Sequence, residues 1–255
     1  MGKIIAVANQ KGGVGKTTTA INLSASLAMA NVPVLLVDLD PQGNATSGVG
    51  LSKSGEPSIY DVLINERAVK EVMVDSNIRN LKVLPGNISL AGAEVEMVGL
   101  MARERLLKNA LEEVVSEFKF IIIDCPPSLG LLTLNALTAA NSIIVPIQCE
   151  YFALEGLSQL MNTVTQVKKH LNPQLEIEGV VLTMYDVRTK LSNQVVNEVK
   201  KFFKSKVYRS IVPRTIRLGE APSFGMPVVN YAPLSSGARA YKSLAEEVLK
   251  DNKGV

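Results

Sequence analysis

The residues with the clearest potential chemistry are two lysines around a run of glycines near the start of the chain. Residues 9–20 read NQKGGVGKTTTA, with Lys11 before the glycines and Lys16 after them. Glycines let the backbone turn so that successive N–H groups face phosphate oxygens, and the helix N-terminus that follows attracts negative charge. The pattern therefore predicts a phosphate-binding loop.

The roles of single residues follow from this loop. Lys16 is placed to reach the β and γ phosphates of a nucleotide, the Thr17 hydroxyl to ligate Mg²⁺, and Thr18 to meet the α phosphate. The spacing is KGGxGKT rather than GxxxxGKT, because Gln10 occupies the leading glycine position. The candidate nucleotide-binding residues are Lys11, Gly12, Gly13, Val14, Gly15, Lys16, Thr17 and Thr18. The loop alone leaves Lys11 without a function.

Three aspartates follow apolar runs that read as strands. LLVDLDPQGN contains Asp38 and Asp40, and FIIID ends at Asp124 in the form of a Walker B motif. A magnesium nucleotide needs anionic groups near its phosphates, and doubly wound sheets place such groups at the carboxyl ends of strands. We expect Asp124 to hold Mg²⁺ directly or through water. The alternative for any single aspartate at a strand end is the capping of a turn.

Asp38 and Asp40 are alternate residues and would face opposite sides of a continuing strand. A turn at Pro41 would bring Asp40 back toward the γ phosphate. We then expect Asp38 to be a second magnesium-shell ligand and Asp40 to orient the attacking water.

The elements that must position these residues alternate along the chain. The predicted strands are 3–9, 32–38, 81–85, 118–124, 142–147 and 175–183. The predicted helices are 17–30, 103–116, 129–140, 153–170, 189–204 and 236–250. Alternation of this kind indicates an α/β fold, a doubly wound and mainly parallel sheet flanked by helices. Residues 47–57 are predicted to form a surface loop, and 1–255 a single domain.

The composition bears on the class of protein and on its expected location. Hydrophobic residues make up 47% and charged residues 20% of the 255 residues, as is ordinary for a globular protein. Cys125 and Cys149 lack CxxC spacing and are predicted to be buried thiols, and His170 to be a solvated residue at a helix end. No signal peptide and no apolar run of about 18 to 20 residues is visible. The expected location is the cytoplasm.

Charge is distributed unevenly. Residues 1–127 carry 12 Lys and Arg against 14 Asp and Glu, whereas residues 128–255 carry 15 against 10. Within 186–219 the count is 9 basic to 2 acidic. By pattern alone this segment is equally compatible with a solvated charged face and with a surface for a polyanion.

Several motifs together resemble one family. KGGVGKTT (11–18), DLDPQGNAT (38–46) and DCPPSLGLLTLNAL (124–137) closely resemble those of the ParA/Soj chromosome-partitioning ATPases. QCEYFALEGLSQL (148–160), VLTMYDVRT (181–189) and PRTIRLGEAPSFG (213–225) extend the likeness, which runs from about residue 3 to about residue 248. This family is part of the P-loop NTPases, in the deviant Walker A class that also contains MinD and the nitrogenase iron protein.

The resemblance implies roles that the loop alone does not. Lys11 would reach across an ATP-sandwiched homodimer to the phosphates of the opposite subunit, and Gly12 would have to stay small for closure. Asp40 would be required for hydrolysis but not for dimerisation, so that the catalytic residues are Lys11, Lys16 and Asp40. Pro213 and Thr215 would lie by the adenine.

The resemblance also implies partners and cofactors. Arg188 and Arg217 match basic residues by which Soj-like dimers hold double-stranded DNA without regard to sequence; Lys190 and Lys201 are weaker candidates. The cofactors would be ATP and Mg²⁺. A ParB/Spo0J-type centromere-binding protein would stimulate slow hydrolysis, and the protein would be associated with the nucleoid in segregating chromosome or plasmid.

Three other functions would each need a feature that the sequence does not show. A MinD-like regulator of the division site, bound to the membrane, would need a basic amphipathic C-terminal helix, and SLAEEVLKDNKGV instead mixes both signs of charge. An iron–sulfur reductase would need cysteine ligands in a recognisable arrangement. A metabolic kinase or ligase would need a substrate pocket, for which no motif is visible. Because the C-terminal segment lacks a basic amphipathic pattern, membrane attachment is not expected.

Overall fold

A computed structural model of the protein describes residues 2–54, 57–150 and 155–254. Its centre is one eight-stranded sheet in the order β3-β4-β2-β5-β1-β6-β7-β8, in which only β3 and β4 pair antiparallel. The strands are β1 (Lys3–Val7), β2 (Val34–Asp38), β3 (Val74–Asp75), β4 (Leu81–Leu84), β5 (Phe120–Asp124), β6 (Ser142–Gln148), β7 (Glu176–Tyr185) and β8 (Val207–Pro213). The predicted fold class is confirmed.

Twelve α-helices connect the strands in the described ranges. They are α1 (Lys16–Met29), α2 (Asn44–Gly48), α3 (Ile59–Leu63), α4 (Val69–Val72), α5 (Leu90–Glu96), α6 (Leu106–Leu111), α7 (Leu131–Ala139), α8 (Glu155–His170), α9 (Lys190–Phe203), α10 (Ile216–Glu220), α11 (Val228–Tyr231) and α12 (Ser236–Asp251). Short 3₁₀ turns adjoin several of them.

The central strands are apolar on both faces because helices cover both. In β1, Ile4 and Ala6 belong to a core shared with α3 to α9, whereas Ile5 and Val7 belong to a core shared with α1, α2, α11 and α12. This alternation is the two-residue period of a strand, applied to two buried faces. Runs such as FIIID are therefore buried throughout.

The six predicted strands and six predicted helices are present with shifted ends. The helix expected over 103–116 is shorter: a 3₁₀ turn at Arg103–Arg105 precedes α6, and turns follow Leu111, where β-branched Val114 and Val115 disfavour helix. The loop expected over 47–57 begins inside α2, and Val49 is buried. Residues 55–56 of that loop and 153–154 of the helix predicted over 153–170 lie outside the described residues.

Strand β8 was not predicted. Arg209 and Ser210 interrupt its apolar run, and it lies within the strongly basic segment 186–219. A strand at the edge of a sheet tolerates polar residues because one side faces solvent. The backbone N–H groups of Arg209 and Ser210 donate to the Glu247 carboxylate of α12, at 2.8 Å each.

A buried polar cluster joins both ends of the chain at the amino-terminal edge of the sheet. The Lys3 ammonium contacts the Glu178 carboxylate and the Asn252 side-chain oxygen, and Asn252 Nδ2 donates to Glu178 Oε1 at 2.7 Å. Burial opposes ionisation of Glu178, but the bonds from Asn252 and Lys3 outweigh it and lower the pKa of Glu178. The cluster anchors β1 and the end of α12 to β7.

Candidate nucleotide-binding site

The phosphate-binding loop lies where the sequence predicts it, between β1 and α1. Gly13 and Gly15 have φ of +73° and +88°, a left-handed conformation that glycine adopts without strain. Gly15 precedes the first helical residue, Lys16, so the free N–H groups of α1 begin directly after the loop. The strand, loop and helix together form a site for phosphate oxygens.

Two residues outside the motif hold this loop in place. Asn9 donates from Nδ2 to the Pro146 carbonyl on β6 at 2.7 Å and accepts from the Lys11 backbone N–H at 3.0 Å. Thr183, buried at the end of β7, donates to the Val14 carbonyl at 2.8 Å. Sequence reasoning missed Thr183 because only the pairing of β6 with β7 brings it under the loop.

Lys16 is folded over the loop. The residue is 7% exposed, and Nζ donates to the Lys11 carbonyl oxygen at 3.2 Å. Burial lowers the pKa of Lys16, and the negative charges of Asp124 and Asp40 oppose that shift. A phosphate oxygen would offer this ammonium a stronger, charged acceptor than a backbone carbonyl.

Asp124 is a buried carboxylate with few hydrogen-bonding partners. It is fully buried at the end of β5, and neither side-chain oxygen makes a hydrogen bond of standard geometry among the described residues. Burial and then the nearby charge of Asp38 raise the pKa of Asp124, whereas the neighbouring Thr17 hydroxyl lowers it. Such a group is costly unless it is protonated or binds a cation.

This donor set fits magnesium. Carboxylate and hydroxyl oxygens are hard ligands, and Mg²⁺ usually takes one or two of them and completes its shell with water and phosphate oxygens. In the described part of the chain, no three His, Cys, Asp or Glu side chains form a metal site by themselves. Asp124 and Thr17 would therefore hold the ion only together with a nucleotide.

Asp38 is bonded to the protein instead. Its Oδ2 accepts from the backbone N–H and the hydroxyl of Thr46, at 2.7 Å each, and Oδ1 accepts from the Asp40 N–H at 3.3 Å. Burial, only partly offset by these bonds, raises the pKa of Asp38 to about 6. The structure thus places Asp38 beside Asp124 but turned toward Thr46, a residue that the sequence interpretation did not single out.

Asp40 lies in the turn that Pro41 predicts. The Gly43 N–H donates to its carbonyl at 2.9 Å, and the Gln42 N–H donates to its Oδ1 at 2.9 Å. Asp40 is 8% exposed and lowers the electrostatic cost of the Lys16 ammonium. The structure therefore brings Asp38, Asp40 and Asp124 to the edge that carries the phosphate loop.

A cavity of about 240 Å³ opens beside the loop. Gly15 and Thr18 line one side of it, and Pro213, Thr215 and Met184 line the other. Met184 has φ of +52°, which is unusual for a residue with a side chain. The residues expected near the adenine therefore share one cavity with the phosphate loop.

The basic candidates are split between two places. Arg188 follows β7 and Arg217 is the second residue of α10, which follows β8, so both lie at the sheet edge that carries the phosphate loop. Arg188 is held by Asp186 (2.9 and 2.6 Å) and Arg217 by Glu220 (2.9 Å). Lys190 begins α9, but Lys201 lies about 16 Å further along that helix, toward the opposite edge.

The cysteines and the histidine are where the sequence predicts. Cys125 and Cys149 are free and buried, and burial raises the pKa of both thiols, to about 11 for Cys149. His170 is the exposed last residue of α8. None of the described helices is both long and apolar enough to cross a membrane.

Known proteins share this sequence and geometry. A family model described as an AAA domain matches residues 2–177. The sporulation initiation inhibitor protein Soj of Bacillus subtilis is 58% identical over 249 residues, which cover 97% of this chain and 98% of that protein. The chain belongs to the ParA/Soj family of chromosome-partitioning ATPases.

Other comparisons support the ParA/Soj assignment. The chromosome partitioning protein ParA of Myxococcus xanthus is 53% identical over 98% of this chain and 89% of its own length. Among solved structures, a cobyrinic acid a,c-diamide synthase from Mycobacterium smegmatis with bound ADP and magnesium matches with a TM-score of 0.88 and 40% identity. It covers 100% of this ParA/Soj-family chain and 96% of its own. That protein carries a biosynthetic enzyme's name, but several relatives of higher identity carry the names of chromosome-partitioning proteins.

Proposed function

We propose that this protein is an ATP-dependent DNA-partitioning ATPase of one domain over residues 1–255. ATP drives two protomers into a sandwich dimer, the dimer holds DNA without sequence preference, and slow hydrolysis releases it. The observation that carries the proposal is one shared edge: the phosphate loop, the three aspartates and the two arginines all follow carboxyl ends of strands in one sheet.

The nucleotide-binding part rests on the loop and its neighbours. ATP would place its phosphates over the N–H groups that lead into α1, with Lys16 and Thr18 on the phosphates and the base in the cavity lined by Pro213 and Thr215. Magnesium would be held by Thr17 and Asp124, and Asp38 would support them. Bound Mg²⁺ neutralises phosphate charge, while Asp40 orients the attacking water.

Dimerisation is supported by what surrounds Gly12 and Lys11. Gly12 is exposed, its φ is not in the left-handed region, and an added Cβ would meet no described atom within 4 Å. Nothing in the described part of one protomer therefore requires glycine there. A second protomer closing over the loop would require it, and would bring its own Lys11 to the phosphates.

DNA binding is supported by the charge of segment 186–219 and the exposure of its arginines. Arg188 and Arg217 expose 84% and 57% of their side chains. Exposed arginine side chains can bind the backbone phosphates of DNA without any element that reads the bases. We place Lys190 on the same surface and Lys201 at its margin. The proposed location is the cytoplasm, on the nucleoid.

The proposed partner is a ParB/Spo0J-type centromere-binding protein that stimulates hydrolysis. A MinD-like attachment to membrane is disfavoured because α12 uses its apolar residues within the protein. Tyr241, Leu244 and Val248 of α12 are buried in the core that α12 shares with α1.

The central test is retention of double-stranded DNA with ATP, with ADP and without nucleotide, at several salt concentrations. We expect retention with ATP only, and loss of it in Arg188→Glu combined with Arg217→Glu, while ATP-dependent dimerisation on a sizing column is unchanged. Unaltered retention in the double variant would contradict the assigned surface. Binding to anionic liposomes without binding to DNA would favour the MinD-like function.

The hydrolytic part has its own test. Asp40→Ala should give a dimer that persists with ATP, because the nucleotide still closes the sandwich and no residue orients the water. Sizing chromatography with ATP and release of phosphate measure the two properties. Normal phosphate release would remove Asp40 from the mechanism.

A further inference from the structure

Three arginines at the nucleotide-bearing edge of the sheet share one feature. Arg188, Arg214 and Arg217 each contact a carboxylate of the same protomer. The partners are Asp186, Glu150 and Glu220, with nitrogen-to-oxygen distances of 2.6, 3.5 and 2.9 Å. The three pairs converge because the Arg214 N–H donates to the Tyr185 carbonyl, which joins the ends of β7 and β8.

In each of the three pairs the carboxylate is less exposed than the arginine. Asp186 exposes 22% of its side chain against 84% for Arg188, and Glu220 exposes 37% against 57% for Arg217. A phosphate arriving from solvent would therefore meet the guanidinium groups first, with their charges already neutralised from within. Each contact with a phosphate would have to compete with an existing ion pair.

Further bonds fix the carboxylates in these positions. Asp186 Oδ1 also accepts from the Arg188 backbone N–H at 3.0 Å, and Glu220 Oε2 also accepts from the Tyr231 hydroxyl at 3.3 Å. Asp186 faces Arg214 as well as Arg188, and these arginines hold the pKa of Asp186 down to about 2. Asp186 thus stays charged and in place at any physiological pH.

We propose that Asp186, Glu150 and Glu220 form an intramolecular brake on DNA binding, which keeps single protomers off DNA by occupying Arg188, Arg214 and Arg217. The proposal rests on the proposed DNA-binding function and adds its regulation. One protomer offers too little unpaired charge to stay bound. Two protomers joined by ATP double the number of contacts, and the affinity contributions of linked contacts multiply.

The test uses Asp186→Asn, because asparagine keeps the Oδ1 acceptor for the Arg188 backbone N–H while it removes the charge and the Oδ2 acceptor of the Arg188 side chain. Without nucleotide, DNA affinity should rise about threefold, the size of one exposed ion pair. The slope of log K against log salt should steepen by about 0.9, one additional phosphate contact. Adding Glu150→Gln and Glu220→Gln should increase both effects, and thermal unfolding checks that the variants fold.

The matched control is Asp75→Asn. Asp75 pairs with Lys82 at 2.8 Å on β3 and β4, at the opposite side of the sheet, so this variant frees a cation and changes net charge equally. If Asp186→Asn and Asp75→Asn bind DNA alike, the brake does not exist. If wild-type protein with ATP and all variants fail to bind DNA even at low salt, the proposed function itself is wrong.

Discussion

Asp38 and Asp124 are register partners at the carboxyl ends of the adjacent parallel strands β2 and β5. Two buried carboxylates therefore stand side by side. Among the described residues, Thr46 and Asp40 donate to Asp38, whereas Asp124 has only the neighbouring Thr17 hydroxyl and no hydrogen bond of standard geometry. A cation that arrives with a nucleotide would offset the charge of Asp124. Without nucleotide, the burial of these two carboxylates therefore costs folding free energy at the candidate nucleotide site.

Replacing Asp124 should separate stability from function. We expect Asp124→Asn to raise the free energy of unfolding of the nucleotide-free protein by about 1 kcal/mol, because it removes a carboxylate that burial and the neighbouring Asp38 make costly to ionise. With Mg²⁺ and ATP, the wild type should gain more stability than the variant, since the stabilisation by a bound ligand grows with the logarithm of its affinity. Urea unfolding in both conditions measures this. Asp75→Asn, at an exposed position, is the control. If Mg-ATP raises the free energy of unfolding of Asp124→Asn and of the wild type equally, Asp124 is not a ligand.

Thr183 should tune nucleotide affinity from outside the motif. Thr183→Val keeps the shape of the side chain but leaves the Val14 carbonyl without its donor, a loss of about 1 kcal/mol or more. We expect nucleotide binding to weaken about five- to tenfold, measured by titration with a fluorescent ATP analogue. Thr183→Ser, which keeps the hydroxyl, should bind nearly as the wild type does. Similar weakening in both variants would point to packing instead.

Lys11 should affect turnover and not folding. Its side chain makes no hydrogen bond or ion pair within the described residues, so Lys11→Gln should unfold at the wild-type urea concentration. We expect ATP turnover to fall at least about 100-fold, since a cation supplied in trans is worth 10³ to 10⁵ in related chemistry. Exposed Lys108→Gln on α6 is the control and should keep wild-type turnover.

Mixing two inactive variants tests whether Lys11 acts across the dimer. A protomer with Lys11→Gln keeps Asp40, and an Asp40→Ala protomer can supply the missing Lys11 to it. The mixture should therefore regain turnover that neither variant has alone. Absence of recovery, with mixed dimers demonstrated, would place Lys11 in its own active site.

The cluster of Lys3, Glu178 and Asn252 should account for part of the loss of folding stability at acid pH. Because the pKa of Glu178 is lower in the folded than in the unfolded protein, its stabilisation is present above about pH 4.5 and is lost as pH falls through the folded pKa. Glu178→Gln should cost about 1–3 kcal/mol at pH 7 and make stability less dependent on pH between 5 and 3. Urea midpoints across this range test it. Exposed Glu176→Gln, on the same strand, should retain the wild-type profile.

The fold, and the place of the candidate nucleotide site within it, were largely predictable because their signals are local. Apolar β-branched runs predict buried strands, and the glycine loop between β1 and α1 predicts phosphate binding whatever the rest of the chain does. The turn at Asp40, the buried thiols and the exposed His170 follow from equally short patterns. Strand β8 was missed because it lies at the edge, where alternation of apolar residues weakens.

By itself the sequence identified the candidate groups for a nucleotide, since each precedes or follows a strand in a recognisable motif. Only the tertiary structure decided which of them are already engaged. Thr46 donates to Asp38, whereas Asp124 makes no hydrogen bond of standard geometry among the described residues. Thr183 on β7 donates to the phosphate loop, and carboxylates pair with Arg188 and Arg217. These pairings join residues through strand register and loop packing, and register is a property of the assembled sheet rather than of any one segment.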